Sequence, residues 1–123
     1  MEDWTDKIVI VTGGAGGMGQ AAAKKFAEAG AKTFIFGRTV AALEETAALS
    51  ENIVPVPCDV SDTSSIETAM KTVLESGTPD VLVHTAGINT ADRFIAHEDP
   101  SRIASEESWQ NVMDINVLGA VNM

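Results

Sequence analysis

The chain has 123 residues, 45% of them hydrophobic, and a formal net charge of −10 at pH 7; that length suits one domain with a real core. The acidity argues against nucleic acid as a partner, because phosphate contacts need a basic face, and no apolar run is long enough to span a bilayer. A single cysteine, Cys58, excludes an intrachain disulfide, no metal site is read, and the acidic start "MEDWTDK" lacks the apolar core of a signal peptide, so a reducing, cytoplasmic setting is expected.

In chain order, "KIVIV" (Lys7–Val11) predicts strand one. "GQAAAKKFAEAG" (Gly19–Gly30) predicts a helix with Ala22, Phe26 and Ala29 on one face and Gly30 as its stop. "KTFIF" (Lys32–Phe36) predicts strand two. "VAALEETAALS" (Val40–Ser50) predicts a second helix with Leu43, Ala47 and Leu49 as core contacts. "IVPVP" (Ile53–Pro57) predicts strand three, whose prolines suit a sheet edge. "SDTSSIETAMKTVLESG" (Ser61–Gly77) predicts a third helix with Ile66, Ala69, Met70, Val73 and Leu74 inward. "DVLVHTAG" (Asp80–Gly87) opens as strand four, and "INTADRFIAHEDPSRIA" (Ile88–Ala104) has no clear period and reads as a surface loop. "SEESWQNVMDINVLGAVNM" (Ser105–Met123) predicts one continuous helix, N-capped by Ser105, with Glu106 and Glu107 at the positive end of its dipole. Strands alternating with helices imply an α/β fold with a parallel sheet and right-handed crossovers.

The stretch "VTGGAGGMGQ" (Val11–Gln20) holds five glycines: Gly13, Gly14, Gly16, Gly17 and Gly19. A strand, a glycine-rich turn and a helix start together form an anion site, because main-chain N–H groups point outward at the positive end of the helix. Three spacings fit: G-x-G-x-x-G on Gly14, Gly16 and Gly19; T-G-x-x-x-G-x-G on Thr12, Gly13, Gly17 and Gly19; and T-G-x-x-G-x-x-G on Thr12, Gly13, Gly16 and Gly19. All of them point to a dinucleotide pyrophosphate against the backbone. At the end of strand two, "FGRT" places Gly37 where an NAD-type fold carries an acid for the ribose hydroxyls. Arg38 beside it suits a 2′-phosphate, which favours NADP(H), with NAD(H) as the alternative.

With "TGGAGGMG" (Thr12–Gly19), "CDVSD" (Cys58–Asp62), "HTAG" (His84–Gly87) and "MDINVLGAV" (Met113–Val121) in this order, the sequence resembles the short-chain dehydrogenase/reductase family over essentially its whole length. The resemblance implies a Rossmann-type doubly wound parallel sheet. Four strands would be present, in the order 3-2-1-4, with helices on both faces. Gly13, Gly17 and Gly19 would shape the pyrophosphate cradle with Met18 beside it. Asp59 would accept from the adenine amino group, Val60 would lie against the ring, and Thr85, Ala86 and Gly87 would pass beside the nicotinamide ribose.

"HTAG" departs from the Asn-Asn-Ala-Gly common in the family. Thr85 lacks the two-ended bridging of an amide, and His84 reads as a buried structural histidine; His97 has no assigned role. The glycines satisfy both the standard-length and the extended subfamily, and "FGRTVAALEE", "CDVSD" and "SWQNVMDIN" favour the standard one. Asn116 matches the asparagine of the family's Asn-Ser-Tyr-Lys tetrad, whose implied role is to hold a relay water through its helix backbone. The chain contains no tyrosine, so residues 1–123 read as the N-terminal, dinucleotide-binding part of such an enzyme with the catalytic half outside them. The expected function is alcohol/ketone interconversion by the parent protein on a small-molecule substrate. The alternatives are a non-catalytic dinucleotide-binding module, or the N-terminal part of an extended-type nucleotide-sugar epimerase or dehydratase. The apolar edge "VLV" (Val81–Val83), without a fifth strand, predicts a homo-oligomer.

Overall fold

A computed structural model describes residues 3–90 and 104–123. The core is one parallel sheet in the order β3-β2-β1-β4, as the resemblance implies. It consists of β1 (Ile8–Thr12), β2 (Lys32–Gly37), β3 (Ile53–Pro57) and β4 (Val81–His84). β1 runs beside β2 with Ile8 opposite Lys32 and Thr12 opposite Phe36, and beside β4 with Val9 opposite Val81 and Thr12 opposite His84. Every residue of β1 is buried, as expected of a central parallel strand covered on both faces. β3 is the outer strand beyond β2, so Pro55 and Pro57 cost the sheet no central ladder bond. At the opposite edge, β4 pairs with β1 alone among the described residues, and Leu82 on it is 43% exposed.

Alternation along the strands divides the core in two. On one face Val9, Val11 and Ile35 pack with Ala23 and Ala27 of α1 (Gly17–Glu28) and Leu43 of α2 (Val40–Ala47). On the other, Ile8, Ile10, Phe34 and Phe36 pack with Ile66, Ala69 and Val73 of α3 (Thr63–Leu74).

Individual core contacts differ from the sequence expectation. In α1 the buried positions are Gly19, Ala23 and Ala27. Ala22 and Phe26 flank them, with Phe26 meeting Trp4 edge to face at a centroid separation of 5.0 Å, and Ala29 is the C-cap. α2 ends at Ala47, and Leu49 lies past it in a turn closed by Leu49 N–H on the Thr46 carbonyl, so it is exposed. Thr46 takes the inward place. Its hydroxyl donates to the Ala42 carbonyl and accepts from Gln20 Nε2, which satisfies a buried polar group. Leu74, the last residue of α3, is likewise exposed, because the stripe runs out with the helix.

Ser105 caps α4 (Glu106–Met113), its hydroxyl accepting the Ser108 N–H at 3.1 Å. The helix does not continue uniformly. A π turn spans Asp114–Leu118, and α5 (Gly119–Asn122) follows. The π turn lies between two anchors. Asn116 is tied to Ile88, and Gly119 is pressed on Val60, where a β-carbon would stand 2.7 Å from Val60 Cγ2. Of the loop expected over 88–104, residues 91–103, with His97, lie outside the described residues.

Candidate functional site

The carboxyl ends of the four strands rim a groove of about 330 Å³, the place where open α/β sheets bind ligands. Its first wall is the glycine loop. Gly13 has φ +67° and sits against the backbone of Thr85 and Ala86, with 2.9 Å left for any added β-carbon. Only glycine meets both demands. A β-carbon on Gly14 would stand 2.5 Å from Ile35 Cβ, and one on Gly19 would collide with the Gly13 carbonyl oxygen. The loop is closed by Gly14 N–H on the Phe36 carbonyl at 3.1 Å and Gly16 N–H on the Gly13 carbonyl at 3.0 Å. Gly16 and Gly17 differ from the other three. A β-carbon on Gly16 would meet only the Gly13 carbonyl, at 3.4 Å, and one on Gly17 would meet nothing within 4 Å. Three glycines are therefore required by the protein's own packing, Gly16 is bound within the loop by its own main chain, and Gly17 leaves open space beside the main chain at the start of α1.

The second wall is the end of β2. Gly37, Arg38 and Thr39 line the groove. A β-carbon at Gly37 would lie 3.1 Å from Cδ2 of the fully buried Leu43. Arg38 is exposed and lines the groove together with Asp59. The Asp59 carboxyl is held below its ordinary value chiefly by the Ser61 hydroxyl; burial, the next largest effect, opposes this, and the Ser61 N–H and the Arg38 charge add smaller lowering effects. Both Ser61 groups bind Asp59 Oδ1, at 2.6 and 2.9 Å. Asp59 thus closes a turn and lines the groove at once. Cys58 and Val60 are buried on either side of it, and burial pushes the Cys58 thiol up.

The third wall is the strand β4 end. Thr12, fully buried, organises it. Its hydroxyl oxygen accepts the Thr85 and Ala86 N–H groups, each at 3.2 Å, and lies 2.9 Å from His84 Nδ1. Its carbonyl accepts the Thr85 hydroxyl at 2.7 Å. Beyond it, the Asn116 side chain clamps the Ile88 main chain, accepting its N–H and donating to its carbonyl, both at 2.8 Å. Thr85 faces the protein, with Oγ1 2.8 Å from where a Gly19 β-carbon would be, while Ala86 and Gly87 carry little side chain into the groove.

Of the residues singled out in the sequence, Gly13, Gly16, Arg38, Asp59, Val60, Thr85, Ala86 and Gly87 are brought together on this groove. Gly14 and Gly19 lie behind it in packing contacts. Gly17 and the 78%-exposed Met18 lie at the helix start outside its lining, and Asn116 acts on the segment that borders it. Residues not anticipated are Thr12 as the hub, Leu43 behind Gly37, and the apolar pair Ile88 and Ile115 on the lining. A threonine ending an otherwise aliphatic strand was the available signal for the first. Among the described residues no group of histidine, cysteine and carboxylate side chains is arranged to hold a metal ion, and no helix is long and apolar enough to cross a membrane.

A family model described as short chain dehydrogenase matches residues 7–123. An uncharacterised oxidoreductase of Mycobacterium tuberculosis is 36% identical over 95% of this chain and 35% of its own length. Dehydrogenase/reductase SDR family member 11 of Bos taurus is 30% identical over 96% of this chain and 46% of its own. Among solved structures, 3-ketoacyl-(acyl-carrier-protein) reductase from Brucella melitensis, complexed with NADH, superposes with a TM-score of 0.86 at 29% identity. The match covers 97% of this chain and 47% of that one. The chain thus spans less than half the length of these relatives.

Proposed function

The chain belongs to the short-chain dehydrogenase family, and from that premise we propose that it is the dinucleotide-binding part of an NADP(H)-dependent oxidoreductase that interconverts a secondary alcohol and a ketone. The observation that carries the reading is the division within the glycine loop. Gly13, Gly14 and Gly19 are consumed by packing, while Gly17 has no protein atom within 4 Å of an added β-carbon. Bare main chain facing outward at a helix start fits a diphosphate. Ala86 and Gly87 line the groove with little side chain.

Arg38 supports NADP(H). It is the cation among the described lining residues, its guanidinium suits a phosphate monoester, and Leu43 crowds the position where an acid for the ribose hydroxyls would stand. Asp59 keeps Oδ2 free of the Ser61 turn and would accept from the adenine amino group, with Val60 against the ring. When bound, the dinucleotide supplies or takes up a hydride through its nicotinamide. This chain's own part is to bind and orient. Asn116 fixes the Ile88 backbone at the groove mouth, and its place in a π turn supports a role for the helix backbone in holding a relay water, since such turns disturb the regular carbonyl pairing. With no tyrosine in the chain, the phenol acid is assigned to a segment outside residues 1–123.

The test is a fluorescence titration of the chain with NADPH and NADH. NADPH is expected to bind more tightly, without turnover of any carbonyl substrate. Binding of NADH at least as tight as NADPH, as the Brucella reductase's NADH complex makes a fair alternative, would remove the role given to Arg38. Binding of neither would remove the dinucleotide site.

A further inference from the structure

The Thr12 hydroxyl can be oriented without seeing its proton. Two main-chain N–H groups already donate to its oxygen: that of Ala86, and that of Thr85, which is shared with the Thr12 carbonyl at 3.3 Å. A hydroxyl has one proton to give and lone pairs to accept with, so the remaining close partner, His84 Nδ1 at 2.9 Å, must receive that proton. Nδ1 is then an acceptor, and the imidazole is the neutral tautomer with hydrogen on Nε2. Nε2 is buried with no hydrogen-bond partner among the described residues, so none of them competes with Thr12 for the ring's tautomer. A ring free to choose would not leave its donor unpaired in the interior. The commitment of Nδ1 to Thr12 decides its placement.

We propose that His84 is a positioning residue: held as the neutral Nε2–H tautomer, its Nδ1 accepts a hydrogen bond from the Thr12 hydroxyl and so turns that oxygen's lone pairs onto the Thr85 and Ala86 amides, fixing the strand-end backbone that walls the groove. Protonated at Nδ1, or replaced by an apolar side chain, it leaves the Thr12 proton without its acceptor. The hydroxyl is then free to rotate away from the two amides. The amide contacts and tautomer stand on their own, and only the consequence for binding rests on the dinucleotide reading.

The experiment is therefore read at two levels on the 123-residue chain. Long-range proton–nitrogen NMR on histidine-labelled protein, with His97→Gln to assign the two rings, is expected to show an unprotonated Nδ1 and a protonated Nε2 on His84. The reverse pattern overturns the proposal. Amide exchange at Ala86, the amide not shared with the Thr12 carbonyl, is expected to be slow in the wild type and in His84→Asn, whose Oδ1 restores an acceptor near Nδ1, and roughly tenfold or more faster in His84→Leu. Thr12→Ser is expected to keep the protection and Thr12→Val to lose it, so the proposal stays open to refutation even if His84→Leu fails to fold. Unchanged exchange in Thr12→Val, or equal loss in His84→Asn and His84→Leu, overturns it. NADPH affinity is expected to follow the same order. If no variant and no wild type binds NADPH while the exchange order holds, the dinucleotide reading fails and the positioning role stands.

Discussion

The two rims of the sheet are built on opposite plans. At the amino ends of the strands, charged side chains make the contacts, to other side chains and to main chain. Lys7 Nζ donates to Asp80 Oδ1 at 2.9 Å, Asp80 Oδ2 accepts the Ile8 N–H at 2.9 Å, and Lys32 Nζ donates to Ser76 Oγ at 2.8 Å. At the carboxyl ends, neutral side chains turn back onto main chain: Thr12 onto Thr85 and Ala86, Thr85 onto Thr12, Asn116 onto Ile88. The first plan ties the strand starts together through charged groups, with one exposed ion pair, Lys7–Asp80, of small worth. The second freezes backbone while keeping a groove open, which is what a pre-organised binding wall requires. Stability and binding should therefore separate by rim.

The strongest challenge to that division lies inside the glycine loop. Gly19→Ala puts a methyl onto the Gly13 carbonyl. It should cost about 1–3 kcal/mol in thermal or urea unfolding, the usual range for overpacking, and abolish dinucleotide binding. Gly17→Ala meets no protein atom. It should leave unfolding unchanged or slightly improved, since alanine is the better helix former, while weakening NADPH by roughly tenfold or more, comparable to losing one charge-assisted hydrogen bond. If both variants lose stability equally, the loop is all scaffold and the outward face assigned to Gly17 is wrong.

Next in size is Arg38→Asp. Loss of a charged contact to a phosphate is worth roughly tenfold to a hundredfold in affinity, so NADPH should weaken by that factor while NADH is unchanged or gains. Unfolding should not move, because Arg38 is exposed. Asp80→Ala inverts the pattern. It removes the acceptor of the Ile8 N–H and the partner of Lys7, so the melting temperature should fall while NADPH affinity stays within about twofold, less than one hydrogen bond's worth. A matched fall in affinity would show that the rims communicate.

How much of this was legible depended on how local the cause is. β3 was bounded correctly by its own apolar run, and the other strands to within a few residues, because period and punctuation lie in the sequence itself. The sheet order came through the motif resemblance rather than through periodicity. Leu49 and Leu74 were misjudged because a helical stripe says nothing once the helix has ended, and Thr46 took an inward place because its hydroxyl found partners at Ala42 and Gln20. The π turn was invisible: it sits between contacts to Ile88 and Val60, both distant in sequence from Asn116 and Gly119. The Thr12 hub joins residues 72 to 74 positions apart. No local pattern encodes which polar atoms a parallel pairing will bring face to face.

The smallest effect, and the one that tests both rims in a single titration, is the response to acid. Asp80 is held below the ordinary carboxylate value of 3.8 by the Ile8 N–H first and by Lys7 after it. Asp59 is held below it chiefly by the Ser61 hydroxyl. For a carboxylate depressed in the folded state, the unfolded chain binds more protons as pH falls. Each contribution to stability is therefore complete well above pH 3.8 and is lost as pH drops through the folded-state value. The melting temperature of the wild type should accordingly be level in the neutral range and decline on the acid side of about pH 4, the unfolded-state value. Asp80→Asn and Asp59→Asn should each flatten part of that decline. The two should differ in a second readout: only Asp59→Asn should alter the affinity for NADPH at pH 7, because only Asp59 borders the groove. An acid limb equally steep in wild type and both variants would show that neither carboxylate carries the pH dependence, and a binding defect in Asp80→Asn as large as that in Asp59→Asn would dissolve the distinction between the rims.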